Sequence, residues 1–291
     1  MARRLGSRSQ RRAPIVAAVL TVVISQGPAA QAPTPQMTAE TIRARMSAAA
    51  QSMDPLSAGD AAVVVEALSH ANEQVRTDAL GVLEARLSPF VASYRSAGAY
   101  ASDARLLAPA EPHVWALLDA ADARVRRRAL RAMVMLRVSR SPDGIAAIAA
   151  AGYDPGQDLV DRAALMFEKD ADAGVRVASV QLLSGVGANV PDATTRVVHR
   201  VLMKALNDPS WGVVNVAVRD AARRRIPGSL AESARLLQHK DYQVRMVAAQ
   251  ALASFGRDAR PHLPELRRAA DIETHDITKK TMVGSITVIE R

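Results

Sequence analysis

The chain has no cysteine. Disulfides are excluded, even in an oxidising compartment, and so is lipid attachment to a cysteine near the N-terminus. Aromatic residues are few: three Phe, two Trp and four Tyr in 291 residues. Ala, Val and Leu carry the apolar content instead, a composition suited to helices stacked at close range. Lysine is scarce as well, limited to Lys169, Lys204, Lys240, Lys279 and Lys280. The arginine bias would follow equally from a GC-rich genome, so no function attaches to it. Catalytic patterns are missing too. The six histidines (70, 113, 199, 239, 262 and 275) form neither H-E-x-x-H nor another metal-ligand pair at helical spacing. No Gly-rich phosphate loop precedes a helix, because Gly185-Val186-Gly187 closes a repeat instead. Ser184-Gly185 lacks the surroundings of a nucleophile elbow. The carboxylates sit at helix starts, where they stabilise the first turn. No catalytic residue, cofactor or metal is expected, and the chain reads as a non-enzyme.

What is present is repetition. Asp122–Ala129 (DARVRRRA) and Asp241–Ala248 (DYQVRMVA) are the cleanest copies of one phrase. Asn72–Ala79, Asp172–Ser179 and Ser210–Ala217 are looser ones. Anchoring on Val75, Val125, Val175, Val213 and Val244 aligns much more. Four residues on stand Ala79, Ala129, Ser179, Ala217 and Ala248; five on stand Leu80, Leu130, Val180, Val218 and Ala249. Eight on stand Leu83, Met133, Leu183, Ala221 and Leu252. These offsets form one helical stripe. Three residues before each anchor is Asn72, Asp122, Asp172, Ser210 or Asp241, all good N-caps. A second helix is expected before each cap, near 58–69, 112–120, 157–169, 193–206 and 228–238. A sixth, degenerate pair covers roughly 261–270 and 276–289. Pro and Gly punctuate the pairs. A lone pair cannot bury its stripe, so the pairs must stack.

At this point the chain resembles the HEAT-repeat family, including the HEAT-like repeats of the bilin-lyase type. The residues that carry the resemblance are Leu206–Val213 (Leu-x-Asp-Pro-Ser-x-x-Val), the Val-Arg-x-x-Ala cores, and Gly187 and Gly256 closing two units. The resemblance covers about residues 58–289. It implies an all-α, right-handed α-α superhelix, an armadillo-like solenoid of about six helix hairpins. Val214 departs from it, standing where Arg is expected. The wide spacing of the first anchors implies insertions at about 88–110 and 139–156. These hold Phe90, Tyr94, Tyr100 and Tyr153. They either project to meet a partner or pack back over the repeats, and the second reading is preferred.

The N-terminus differs from the rest. Residues 1–12 hold five Arg and no acid, and Ala13–Ile24 is an apolar run broken only by Pro14 and Thr21. A small-residue stretch, Ala29-Ala30-Gln31-Ala32, follows. This is the pattern of a secretory signal peptide over residues 1–32. The run is too short to span a bilayer comfortably. The expectation is export to the periplasm or exterior, with no transmembrane span after cleavage. It also changes the charge: the chain is +9, but beyond residue 32 the balance is 33 basic to 29 acidic, or +4. That is weak evidence for a polyanion partner. Residues 33–57 read as a linker with one short amphipathic helix near 39–51, which either caps the first repeat or stays outside it. The solenoid then runs over 58–291.

The repeated arginines lie inside the apolar stripe, at about 100° from the anchor. A charge there needs a partner. In the resembled family this arginine pairs with an acid of an adjacent unit. Arg76, Arg126, Arg176 and Arg245 are therefore expected to form a structural ladder with Asp122, Asp172, Asp241 and neighbouring acids. The opposite face, which is the concave face in the resembled family, is the better place to seek a partner. Candidates there are Arg127, Arg131, Gln181, Asn215, Arg219, Arg223 and Gln250, with Tyr94, Tyr100 and Tyr153 in the insertions. The four arginines among them would make an anion-friendly strip. The leading functional expectation is a non-catalytic scaffold of the bacterial cell envelope or exterior that binds another protein. The alternatives are a HEAT-like lyase or chromophore-handling enzyme and, less favoured, a nucleic-acid binder.

Overall fold

The computed structural model describes residues 37–88, 96–139 and 152–291. Contacts divide the chain into Met1–Met37 and Thr38–Arg291, and the second unit holds everything described below. It is all-helical. Among the described residues the sole extended pairing is one isolated parallel bridge, Tyr153 to Val186.

Among the described residues a first helix, α1 (Ala39–Gln51), precedes six hairpins. These are α2 (Ala58–Ala67) with α3 (Glu73–Leu87), and α5 (Glu111–Ala116) with α6 (Ala123–Val138). Next come α7 (Gln157–Lys169) with α8 (Ala173–Gly185), and α9 (Asp192–Ala205) with α10 (Trp211–Arg223). The last two are α11 (Ser229–Leu236) with α12 (Tyr242–Phe255), and α13 (Leu263–Ile272) with α14 (Asp276–Glu290). An extra helix, α4 (Ala97–Leu107), lies between the first two hairpins. The second helices pack in one row, α3 on α6, α6 on α8, and so on to α14, and α1 extends that row by packing on α3.

The repeat alignment explains the row. Every anchor valine is buried, and so is every residue four, five and eight positions beyond it. Asn72, Asp122, Asp172, Ser210 and Asp241 are all N-caps. Four of the side chains accept a bond from the first turn; Ser210 does not. α1 buries Ile42, Met46 and Ala49 and shows polar Glu40, Arg43, Ser47 and Gln51 outside. It thus supplies the polar outer face that the end of a repeat stack needs.

The arginine ladder exists, but its rungs differ from those expected. Arg126 grips Asp170 through Nε and Nη2 at 2.7 and 2.8 Å, and Arg176 grips Asp208 in the same way at 2.8 and 3.0 Å. Arg245 grips Glu273 at 2.7 and 2.8 Å. Each acid stands five residues before the next unit's anchor position, not three. The cap acids Asp122, Asp172 and Asp241 are occupied by the backbone N–H groups of their own first turns. Each ladder arginine also donates to two carbonyls of its own hairpin turn: Ala120 and Ala121 for Arg126, His239 and Lys240 for Arg245. Arg76 does the same to His70 and Ala71. It has no rung, because Ala120 occupies the acid's position. Where Val214 replaces Arg, the matching position is His239, whose Nδ1 accepts from Asp241 N–H at 3.0 Å. The Arg and its acid are absent together at that junction.

Both insertions tie down to the stack where they are described. α4 packs on α2 and α3, and brings Asp103 to Arg86 at 3.3 Å, with side chains 0% and 2% exposed. Arg86 also donates to the carbonyls of Ser52 and Asp54, while Asp103 accepts from Leu56 N–H. One buried pair thus clamps the α1–α2 connection to α3 and α4. At the second insertion Arg137 bridges Glu111 of α5 to Asp158 of α7 and lies over the Trp115 ring.

Candidate partner-binding groove

The exposed sides of α10 and α12 enclose a groove of about 480 Å³. Arg219, Ala222 and Arg223 of α10 line one wall, and Val247, Gln250, Ala251 and Ser254 of α12 the other. Arg225 closes one end. The helical period explains the lining. Arg219 and Gln250 occupy the same offset, six beyond their anchors, and Arg223 and Ser254 both stand ten beyond. Small Ala222 and Ala251 at the base leave room between the polar walls.

Each arginine is held differently. Asn215 Oδ1 accepts from Arg219 at 3.3 Å, a long contact on an exposed side chain. Arg223 pairs with Asp220 and donates to the Ser184 carbonyl at 3.1 Å, yet keeps 65% of its side chain in solvent. Arg224 turns away from the groove and caps the end of α8 through the carbonyls of Ser184 and Val186. Arg225 has a positive φ of 49° at the chain reversal after α10. It reaches the next unit, pairing with Asp258 at 2.8 Å and covering the Phe255 ring. Asp220 is buried and neutralises part of this cluster from below. The groove therefore offers exposed guanidinium edges, an amide and a hydroxyl over an apolar floor.

The other expected residues are distributed as follows. Arg131 and Gln181 are exposed on α6 and α8, outside the groove. Arg127 is half-buried, its guanidinium against Gly174 of the next unit, so it is the least available of the four strip arginines. Asn215 is half-buried and serves Arg219. Tyr94 lies outside the described residues. Tyr100 and Tyr153 are used inside the fold, contrary to a role in docking. The Tyr100 hydroxyl donates to the Leu87 carbonyl at 3.1 Å and that of Tyr153 to the Leu182 carbonyl at 2.9 Å. Burial raises both phenols above their usual range. Sequence reasoning missed Arg225 because it lies past the end of α10, where helical offsets no longer apply. It left Asp170, Asp208 and Glu273 unnamed among the neighbouring acids, although aligning five residues before each anchor shows the first two.

No curated protein matches the chain in sequence. Residues 200–286 match the family model for HEAT repeats. In structure, the chain is similar to the archaeal HEAT-like repeats protein from Thermococcus onnurineus NA1. That likeness has a TM-score of 0.52 and 13% identity, covering 88% of this chain and 98% of the archaeal one. It is also similar to an engineered protein, with a TM-score of 0.53 and 19% identity over 79% of this chain and 98% of that one. A second engineered protein gives a TM-score of 0.51 and 20% identity over 79% and 96%. At such identities the likeness concerns fold alone. By family match over residues 200–286 and by fold over the hairpin stack, the chain is similar to HEAT-repeat proteins.

Proposed function

We propose that this chain is a non-catalytic interaction scaffold that holds a segment of another protein in the groove between α10 and α12. The observation that carries the reading is the convergence of Arg219, Arg223 and Gln250 on one 480 Å³ groove. Exposed guanidinium groups favour a segment bearing carboxylates, which they bind bidentately. An apolar floor adds area without selecting sequence. A stack of hairpins gives such a segment a rigid wall, so little binding energy is lost to ordering the protein side. The pattern of residues 1–32 supports a location in the cell envelope or exterior, and N-terminal sequencing of the exported protein tests that part: an intact Met1 would overturn it.

The groove is tested by capture from envelope extract, comparing wild type with Arg219→Glu/Arg223→Glu. Arg219 is exposed, and Asp220 keeps its bond to Arg224 when Arg223 is replaced, so the fold should hold, which circular dichroism checks. Loss of the captured partner is expected. Unchanged recovery by a folded variant would remove the groove from consideration.

A further inference from the structure

The two ends of the helix row differ. α1 presents polar Glu40, Arg43, Ser47 and Gln51 outward. α14 presents Val283, 52% exposed, and half-buried Ile286. Aligning its first turn with the other units makes Thr278 the anchor, so Val283 and Ile286 stand five and eight residues beyond it. In each of the five preceding units those two positions are buried: Leu80 and Leu83, Leu130 and Met133, Val180 and Leu183, Val218 and Ala221, Ala249 and Leu252. In α14 Val283 is exposed and Ile286 is half-buried against the core, where their counterparts are fully buried. Ile272, 80% exposed at the end of α13, lies in the same last hairpin.

The charges on this face are ordered. Lys279 takes the ladder position, one beyond the anchor, and no ion pair engages it among the described residues. Glu290 stands at the other end of the helix, paired among the described residues only with exposed Arg267 at 2.5 Å. Lys279, Val283, Ile286 and Glu290 follow the three- and four-residue spacing of a packing seam. The seam reads as its own complement in reverse. Two copies laid antiparallel about a two-fold axis place Lys279 against Glu290 and Val283 against Ile286, at both ends alike. A two-fold contact must be self-complementary in this way.

We infer that the outer face of α14 docks a second copy of this chain, antiparallel, through the Lys279–Val283–Ile286–Glu290 seam. A head-to-tail contact is disfavoured because α1 offers there Glu40, Arg43, Ser47 and Gln51 with small Ala44 and Ala48, and no large apolar side chain. The occupant that satisfies both the apolar positions and the two charges is α14 itself.

Sedimentation of the full chain across a concentration range tests this. Wild type should pass from monomer to dimer. Val283→Asp should weaken the dimer about a hundredfold, as expected for a charge at the centre of an interface. Lys279→Glu sets two like-charge contacts and should weaken it about tenfold. The double variant Lys279→Glu/Glu290→Lys restores opposite charges across the axis and should recover most of that loss. Circular dichroism checks that each variant stays helical; these side chains are exposed enough that none should unfold. A wild type that stays monomeric throughout would overturn the inference. So would a dimer indifferent to Val283→Asp, or one that the double variant weakens further than Lys279→Glu does.

Discussion

Arg76 and Arg176 hold the same place in the repeat but do different amounts of work. Arg176 joins two units through Asp208, which is almost fully buried; Arg76 closes only its own turn. Arg176→Ala strands a buried carboxylate and should cost about 3 kcal/mol, whereas Arg76→Ala should cost about 1 kcal/mol. Urea unfolding of the two variants measures the difference, and equal losses would deny the ladder its cross-unit role. The ladder also sets acid stability. Hydrogen bonds from Arg245 pull the Glu273 carboxyl down to about 2 from 4.5, against the opposing effect of burial. For Asp170, burial pushes upward, but the Arg126 bond and the Asp172 N–H outweigh it and the net shift is downward. A carboxyl lowered on folding contributes stability that is complete above its unfolded pKa and lost as pH falls through the folded one. For Glu273 that window runs from about 4.5 down to about 2. Glu273→Gln should therefore lower the melting temperature at pH 7 and flatten its fall between pH 5 and about pH 2. A melting profile parallel to wild type would contradict this.

Close approach governs the elements. The segment at Tyr153 runs against the end of α8, with Tyr153 N–H donating to the Gly185 carbonyl and Gly187 N–H to the Tyr153 carbonyl. A side chain at Gly185 would sit 2.5 Å from the Tyr153 ring. Gly152, at a φ of +78°, would place one 2.6 Å from Gly187 Cα. Gly185→Ala should thus destabilise by about 1–3 kcal/mol through forced repacking. Gly98→Ala in α4, where nothing lies within 4 Å, should be nearly neutral. Thermal melts of the pair distinguish a steric requirement from a general intolerance of substitution. The Tyr153 contact also explains why an apparent loop residue proved structural: its phenol fills the space that the glycine leaves.

A hairpin stack is nearly one-dimensional, since each unit touches mainly its neighbours. Leu83 in the first hairpin and Leu252 in the fifth are both fully buried, with three hairpins between them. Each change to Ala should cost about 2–5 kcal/mol. The double variant's loss should equal the two single losses to within about 0.5 kcal/mol, as for sites without shared partners. Denaturant midpoints test this, and strong non-additivity would show long-range coupling along the stack. At this scale the molecule is a row of second helices with a polar start at α1, an uncovered seam at α14 and an arginine-lined groove one unit before it.

The sequence alone determined the repeat helices, most of their caps and their buried faces, because these are local; α4 lay in a segment read only as an insertion. A cap needs one side chain near its own first turn, and a stripe needs only the helical period. It also marked Arg219, Arg223 and Gln250 as outward-facing, since offset fixes direction on a regular helix. Tertiary structure decided what those residues meet. The ladder acids come from the next hairpin, and Arg225 enters the groove only because the chain reverses after α10. Tyr100 and Tyr153 turn inward because backbone carbonyls at the ends of α3 and α8 accept their hydroxyls. The α14 seam is likewise invisible as such in the sequence. Val283 and Ile286 match positions that are buried in every other unit, and only the stack shows that Val283 is exposed and Ile286 half-buried here. Distances across a fold follow from packing many side chains at once, which no local pattern encodes.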